Sequence, residues 1–275
     1  MLRRATLDIP SDERRWSSAP KNVPDVYPLL RQMQARGEIK LIRDVRHMYE
    51  VTVPYAPTAP LEENEILMET NPYAALSHLS ALVFHSLTDD LPKEITALNP
   101  SRVPGGMLPP GTDKEDWEGI SITRGSPLRH ILRRPVQWVQ ISPERYFGTF
   151  EYRPHGYPIR VTTPERTLLD GLQQPHLCGG FENVLHAWVL ALDTINLEEL
   201  VYNVYRFDTN ILCQRVGFIM DELGLSRPEM EGWLARAKRG GSSKLVATAK
   251  YANTFSARWN LSINAPIDAL HEGQE

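Results

Sequence analysis

Residues 161–172 read VTTPERTLLDGL, and this stretch restricts the architecture more than any other because it converts strand into helix within a few residues. Thr163 is placed to accept a backbone N–H as helix N-cap, Pro164 loses no hydrogen bond at the first helical position, and Glu165 stands at the positive end of the helix dipole. Arg166 and Asp170 fall one turn apart, which predicts a surface ion pair, while Leu168, Leu169 and Leu172 turn inward. The chain therefore divides here into a strand-rich part and a helical part.

Ahead of the switch, KEITALNP (93–100), GISITRG (119–125), VQWVQISP (136–143), RYFGTFEYR (145–153) and YPIRVTT (157–163) are short, β-branched or aromatic, and bounded by Pro or Gly, which predicts five strands. The last two flank PHG and predict a hairpin. SRVPGGMLPPGTDKED (101–116) reads as a surface or interaction loop. Beyond the switch, residues 181–192, 196–207, 209–225 and 226–239 predict three or four packed helices. Asn196 with Glu199, and Ser226 with Glu229, have capping-box spacing, and Gly224 suits a helix end. RWNLSIN (258–264) alternates Trp259, Leu261 and Ile263 with polar residues, as an outer strand does. The fold class is α+β, with a mostly antiparallel sheet followed by a carboxy-terminal helical bundle.

The amino-terminal part is smaller. Residues 1–22 are polar and broken by Pro10 and Pro20, which predicts a poorly ordered lead-in. Residues 23–58 hold a helix that Asp25 can cap, with Leu29, Leu30 and Met33 on its apolar face and Gly37 at its end, followed by the strand pair IKLIR and HMYEVTV. Helix, glycine and basic hairpin make a winged-helix-like pattern. The proline-rich PYAPTAP (54–60) marks the boundary to a larger domain, 59–275, that opens with a predicted helix over 72–87 carrying Leu76, Leu79, Leu82, Val83 and Leu87.

No stretch carries a recognisable catalytic arrangement. GGSSK (240–244) lacks Walker spacing and reads as a flexible turn. Pro24, Asp25, Glu38 and Lys40 satisfy a loose nuclease pattern, but Asp25 opens a helix, so capping explains it better. His78 and His85 fall two turns apart on one predicted helix, about 10 Å, too far to share a metal ion. Glu165 and Asp170 are turned about 140° from each other and cannot act as an acid–base pair. Cys178, ahead of the helix near Phe181, has the position of a thiol with lowered pKa, and equally that of a small apolar residue beside Gly179 and Gly180. No metal or cofactor is expected. With two cysteines, no apolar leader and no run of about 20 apolar residues, the expectation is a cytoplasmic protein with reduced thiols and no membrane partner.

The net charge of −4 argues neither for a nucleic-acid coat nor for disorder and directs attention to local patches. Glu182 to Glu222 holds seven acids against Arg206 and Arg215, whereas Arg227 to Arg258 holds seven bases against Glu229 and Glu231. RAKRGGSSK (236–244) can therefore meet phosphates or an acidic protein, or be a solvated face.

The order of these pieces resembles the AbiEi family, the antitoxins and transcriptional regulators of type IV toxin–antitoxin, or abortive infection, systems. The pieces are a helix with a basic hairpin ending RHMYEV, then NPYAALSHLSALVFHSL, KEITAL, VTTPERTLLDGL followed by HLCGGFENVLHAW, and a terminal RWNLSIN. The PERTLLD turn, Gly179 and Gly180, and Arg258, Trp259 and Asn264 carry it most sharply. The resemblance implies a winged-helix domain that represses its own operon, here shortened because 24 residues rich in polar groups and proline precede Asp25. It further implies a larger domain that antagonises a cognate nucleotidyltransferase-type toxin without requiring a stable complex. Such a protein is not expected to be an enzyme, and PERTLLD would be a structural joint. Arg31 and Arg36 would then meet operator DNA, with Lys40, Arg43 and Arg46 on the wing touching phosphates. Toxin antagonism or nucleic-acid contact falls to Arg236, Lys238, Arg239, Lys244 and Lys250. Two other classes stay open, a metal-dependent nuclease or phosphoryl-transfer enzyme and a protein-binding scaffold without DNA binding.

Overall fold

Asp25 works at the start of the first helix, but from inside a 3-10 turn, Val23–Val26, where its carboxylate accepts from the Asn22 N–H at 3.1 Å. The computed structural model describes residues 9–10, 12–14, 22–43, 45, 48–52, 62–109, 112–119, 121–122, 124–125, 127–153, 157–237 and 242–271. Helix α1 (Tyr27–Ala35) follows the turn with Leu29, Leu30 and Met33 half-buried on one side. Gly37 then takes φ +72°, a conformation that costs little only without a Cβ, and ends it. Strands β1 (Ile39–Leu41) and β2 (Tyr49–Val51) pair antiparallel as the expected ribbon. The proline tract at 54–60 and most of the lead-in lie outside the described residues.

One helix over 72–87 does not form. Helix α2 covers Glu63–Thr70, β3 is Ala75–Leu76, and α3 spans His78–Phe84. Ala75 and Leu76 are claimed by pairing with Leu98 and Ala97 on one side, and Leu76 with Val161 on the other. His78 turns the chain from strand into helix with φ +48°. A short apolar run suits either element when both bury it, and here the neighbouring strands decide.

Strands β4 (Ile95–Pro100), β5 (His130–Ile131), β6 (Arg134–Ile141), β7 (Thr149–Tyr152) and β8 (Ile159–Thr162) complete a six-stranded sheet of order β5-β6-β4-β3-β8-β7. The β4–β6 and β3–β8 pairings are parallel and the other three antiparallel. The β7–β8 hairpin forms as predicted. GISITRG does not become a strand in its described residues. Arg124 instead donates from Nη1 to the carbonyls of Pro100 and Ser101, both at 2.9 Å, which draws the segment across the end of β4 rather than alongside it.

Apolar residues sort to the two sides of this sheet. Ile66, Leu67, Ile95, Ala97 and Val161 form one cluster, which Ile42 and Val45 of the ribbon segment join. On the other side Leu98, Val139 and Tyr146 gather. The chain then enters the helical part: α4 (Pro164–Gln173), α5 (Phe181–Leu190), α6 (Leu197–Phe207), α7 (Asn210–Glu222) and α8 (Glu229–Ala237). Leu168, Leu169 and Leu172 of α4 meet Trp188, Val204, Trp233 and Trp259 in the largest core. The architecture is α+β with its helices concentrated towards the carboxy terminus.

RWNLSIN contributes an inner strand, not an outer one. Strand β11 (Leu261–Ser262) lies between β9 (Ser243–Lys244) and β10 (Phe255–Ser256), and Leu261 and Trp259 are buried. The alternation is real, but both sides of this short strand are covered. The Trp259 ring presses on α7 so closely that a Cβ at Gly217 would stand 2.1 Å from it.

Gly217→Ala therefore sets two effects against each other. Helix propensity gains about 1 kcal/mol, whereas overpacking a filled core costs roughly 1–3 kcal/mol. With ring carbons in the way the packing term dominates, so the urea midpoint should fall with an unchanged slope, measurable by tryptophan fluorescence.

Candidate functional site

Thr163 caps α4 as expected, its Oγ1 accepting from the Arg166 N–H at 3.3 Å. The pair that follows is a correction to the sequence reading. Arg166 and Asp170 are 1% and 5% exposed, so they make no surface bridge. Helix α4 packs against α3 on one side and α5, α6 and α7 on others, which leaves none of its turns facing solvent. A charge taken into that interior must be paired and hydrogen-bonded. Arg166 Nε donates to both Asp170 oxygens at 3.0 Å, and Nη1 donates to the carbonyls of Arg145 at 2.8 Å and Phe147 at 3.0 Å.

The guanidinium carbon also stands 4.5 Å from the Phe147 ring centre and 4.4 Å from that of Phe207, inside cation–π range on both. Gly148, at φ +60°, lets the chain pass, because a Cβ there would stand 2.8 Å from Arg166 Cβ. Glu165 reaches the other way and accepts from the Asn196 N–H at 2.8 Å. Asn196 in turn accepts from the N–H groups of Glu198 and Glu199 at 3.0 and 3.2 Å. The cap expected from Asn196 and Glu199 is thus present on its Asn side, with Glu165 of a different helix supplying the returning carboxylate.

Beside the buried pair a cleft of about 450 Å³ opens between the sheet and α4. Arg166, Asp170 and His78 are its buried polar residues, and Leu98, Val139, Ile141 and Phe207 give it an apolar wall. Gln140, Ser142, Gln173 and Gln174 add neutral donors and acceptors, and Arg145 is exposed at the rim. His78 is 3.0 Å through Nδ1 from Ser77 Oγ and 3.1 Å through Nε2 from Gln174 Oε1. Burial holds its pKa below the usual imidazole value, with the Asp170 charge partly opposing. Sequence reasoning missed the glutamines, Ser142 and Arg145 because five separate stretches of the chain, around residues 78, 98, 139–145, 166–174 and 207, supply this cleft. Its only linear trace was His78 together with the Arg166–Asp170 spacing.

The basic residues singled out from the sequence fall in two places. Arg31, Arg36, Lys40 and Arg43 are exposed on α1 and the ribbon segment, with Arg36 3.7 Å from Glu38, while Arg46 lies outside the described residues. In the carboxy-terminal set, Lys238 and Arg239 also lie outside them. Arg236 donates to Asp208 at 2.9 Å and to Asn210 at 2.8 Å, clasping α8 to the α6–α7 junction. Lys244 donates from Nζ to the Ala249 carbonyl at 2.8 Å. Lys250 is exposed.

Among the described residues no group of three or more His, Cys, Asp or Glu side chains is arranged to hold a metal ion. His85 is not on a shared ligand with His78; its Nε2 lies 2.7 Å from the Thr162 carbonyl. Cys178 is fully buried, and burial first and then Asp170 push its thiol pKa up, opposite to an activated nucleophile. Among the described residues no helix is long and apolar enough to cross a membrane.

No protein-family model and no curated protein matches the chain. Among solved structures it is similar to the RV2827C protein from Mycobacterium tuberculosis, with a TM-score of 0.51 and 14% identity, covering 91% of this chain and 83% of that one. At that identity the likeness establishes a shared α+β fold and nothing about activity.

Arg166→Met should destabilise the protein by about 3–5 kcal/mol, because it strands a buried Asp170 carboxylate. Arg166→Met combined with Asp170→Leu should cost clearly less than the two single changes added together, which a double-mutant cycle in urea measures. A pH effect accompanies His78. Unfolded histidine takes up its proton near pH 6.5 whereas the buried ring does so only lower, so the unfolded state binds more protons in that window and stability falls as pH drops below about 6.5. His78→Asn, which tolerates the positive φ, should flatten that slope between about pH 7.5 and about pH 5.5 in chemical denaturation.

Proposed function

We propose that the chain is a non-enzymatic, cytoplasmic antitoxin of the AbiEi type that binds operator DNA through its amino-terminal unit and counteracts a nucleotidyltransferase-type toxin. The observation that carries this reading is the side-by-side placement of a helix and an antiparallel ribbon bearing Arg31, Arg36, Lys40 and Arg43 in exposed positions. On a chain of net charge −4 such a local basic face is where phosphates are attracted. The structural use of its buried charges supports a regulator as well: Arg166 ties α4 to the segment between β6 and β7, Glu165 ties α4 to the start of α6, and Arg215 donates to the carbonyls of Leu172 and Lys244. Arg236 and Lys244 are already engaged within the chain, so toxin antagonism is best sought at Lys250 together with Lys238 and Arg239.

The test is fluorescence anisotropy with a duplex taken from upstream of the protein's own gene. If three phosphate contacts are made, raising salt from about 50 to about 200 mM should weaken binding roughly 40-fold. Arg31→Ala, Lys40→Ala and Arg43→Ala together should remove most of that slope while leaving the thermal midpoint unchanged. Binding that ignores both salt and these substitutions would favour a protein-binding scaffold. Growth rescue from a co-expressed nucleotidyltransferase encoded beside the gene tests the antitoxin part, and its loss in Lys238→Glu, Arg239→Glu, Lys250→Glu is the expected outcome.

A further inference from the structure

The cleft against α4 is built unlike a gap in packing. Its volume of about 450 Å³ falls within the range of pockets that hold small organic ligands. Among its lining residues the Arg166–Asp170 pair cancels in charge, and Gln140, Gln173, Gln174 and Ser142 are neutral groups that both donate and accept. His78 is kept uncharged at neutral pH by burial. The interior of the cleft therefore favours a neutral ligand edge rich in hydrogen-bonding groups.

One buried donor of its lining has no acceptor among the described residues. Arg166 spends Nε on Asp170 and Nη1 on two carbonyls, and no described residue accepts from Nη2. In a guanidinium Nη2 shares an edge with Nε–H, so it lies on the side of Asp170, a residue of the cleft lining. A donor next to a carboxylate acceptor complements an edge that carries a carbonyl beside an N–H. Such an edge belongs to guanine and uracil, and the wall of Val139, Ile141 and Phe207 suits the face of a flat ring. Among the described lining residues Arg145 alone adds net charge, and it is exposed at the rim, where an anionic group projecting from the ring would end.

From these features we infer that the cleft binds a mononucleotide, its base inside against Arg166, Asp170 and the carboxamides and its phosphate at Arg145. The site is separate from the basic face assigned to DNA, and either assignment can fail without the other.

The experiment is a thermal-shift and calorimetric series on the full chain with GMP, UMP, guanosine, uridine and inorganic phosphate as probes. At about 5 mM, a nucleotide with a Kd near 1 mM should raise Tm by roughly 2–4 °C. Arg145→Ala keeps the backbone carbonyl that Arg166 uses and should fold with its Tm unchanged. It should weaken GMP or UMP roughly tenfold while leaving the nucleosides unaffected. Gln173→Ala should weaken nucleotide and nucleoside alike. Three results would overturn the inference: no shift with any nucleotide, nucleotide affinity indifferent to Arg145→Ala, or inorganic phosphate alone reproducing the full effect with nucleosides inert.

Discussion

A guanidinium with nine-tenths or more of its surface out of water constrains everything around it, and Arg166 is that group in this protein. Its planar donors require acceptors at fixed directions, so the carbonyls of Arg145 and Phe147 are drawn to it and Asp170 stands one helical turn away. Phe147 and Phe207 pack against it from neighbouring directions, their rings 5.0 Å apart between centres at a steep angle. Residues 145–148 come from the segment between β6 and β7, and Phe207 ends α6. A single side chain thereby fastens the sheet, the switch helix and the helical layer to one point.

The other end of α4 is held by a second buried arginine. Arg215 of α7 donates to the Leu172 carbonyl at 2.9 Å and to the Lys244 carbonyl at 3.1 and 3.0 Å. Burial lowers its pKa to about 10, which leaves it charged at neutral pH. A cation against the last carbonyls of a helix also meets the negative end of its dipole. Between them the two arginines fix α4 along its length, so the helical wall of the polar cleft is held in place at both ends. Removing either would unsettle the helical layer and the cleft together.

Much of this was legible locally. The Thr163 cap, the Pro164 start, the strand segments around 95–100, 136–141 and 149–162, and the four later helices follow from short-range patterns that a few residues enforce. Errors arose where two elements would bury the same side chains. Ala75 and Leu76 satisfy helical spacing yet serve as strand; 119–125 has strand composition yet is drawn across β4 by Arg124; Trp259 and Leu261 alternate yet are enclosed on both sides. In each case the deciding contact comes from another element: Leu98 for Ala75, Ser101 for Arg124, and Ser243 with Gly217 for Leu261 and Trp259. The cleft was illegible for the same reason, since His78, Gln140, Arg145 and Gln174 have no mutual spacing in the chain.

The basic face has a mixed origin. Its charges and its helix–glycine–ribbon order are written within residues 25–51, and the ribbon register Ile39 to Val51 and Leu41 to Tyr49 follows from pairing neighbours across a short connection. What the linear order determined, then, is where strand gives way to helix at Thr163, where the helices after it fall, and which stretches are charged, because capping, dipole and propensity act over one or two turns. What only the tertiary structure decided is the fate of the charges within those stretches. The same i, i+4 spacing of Arg166 and Asp170 describes an exposed bridge or a buried joint, and the choice depends on whether distant backbone carbonyls and aromatic rings arrive to replace water.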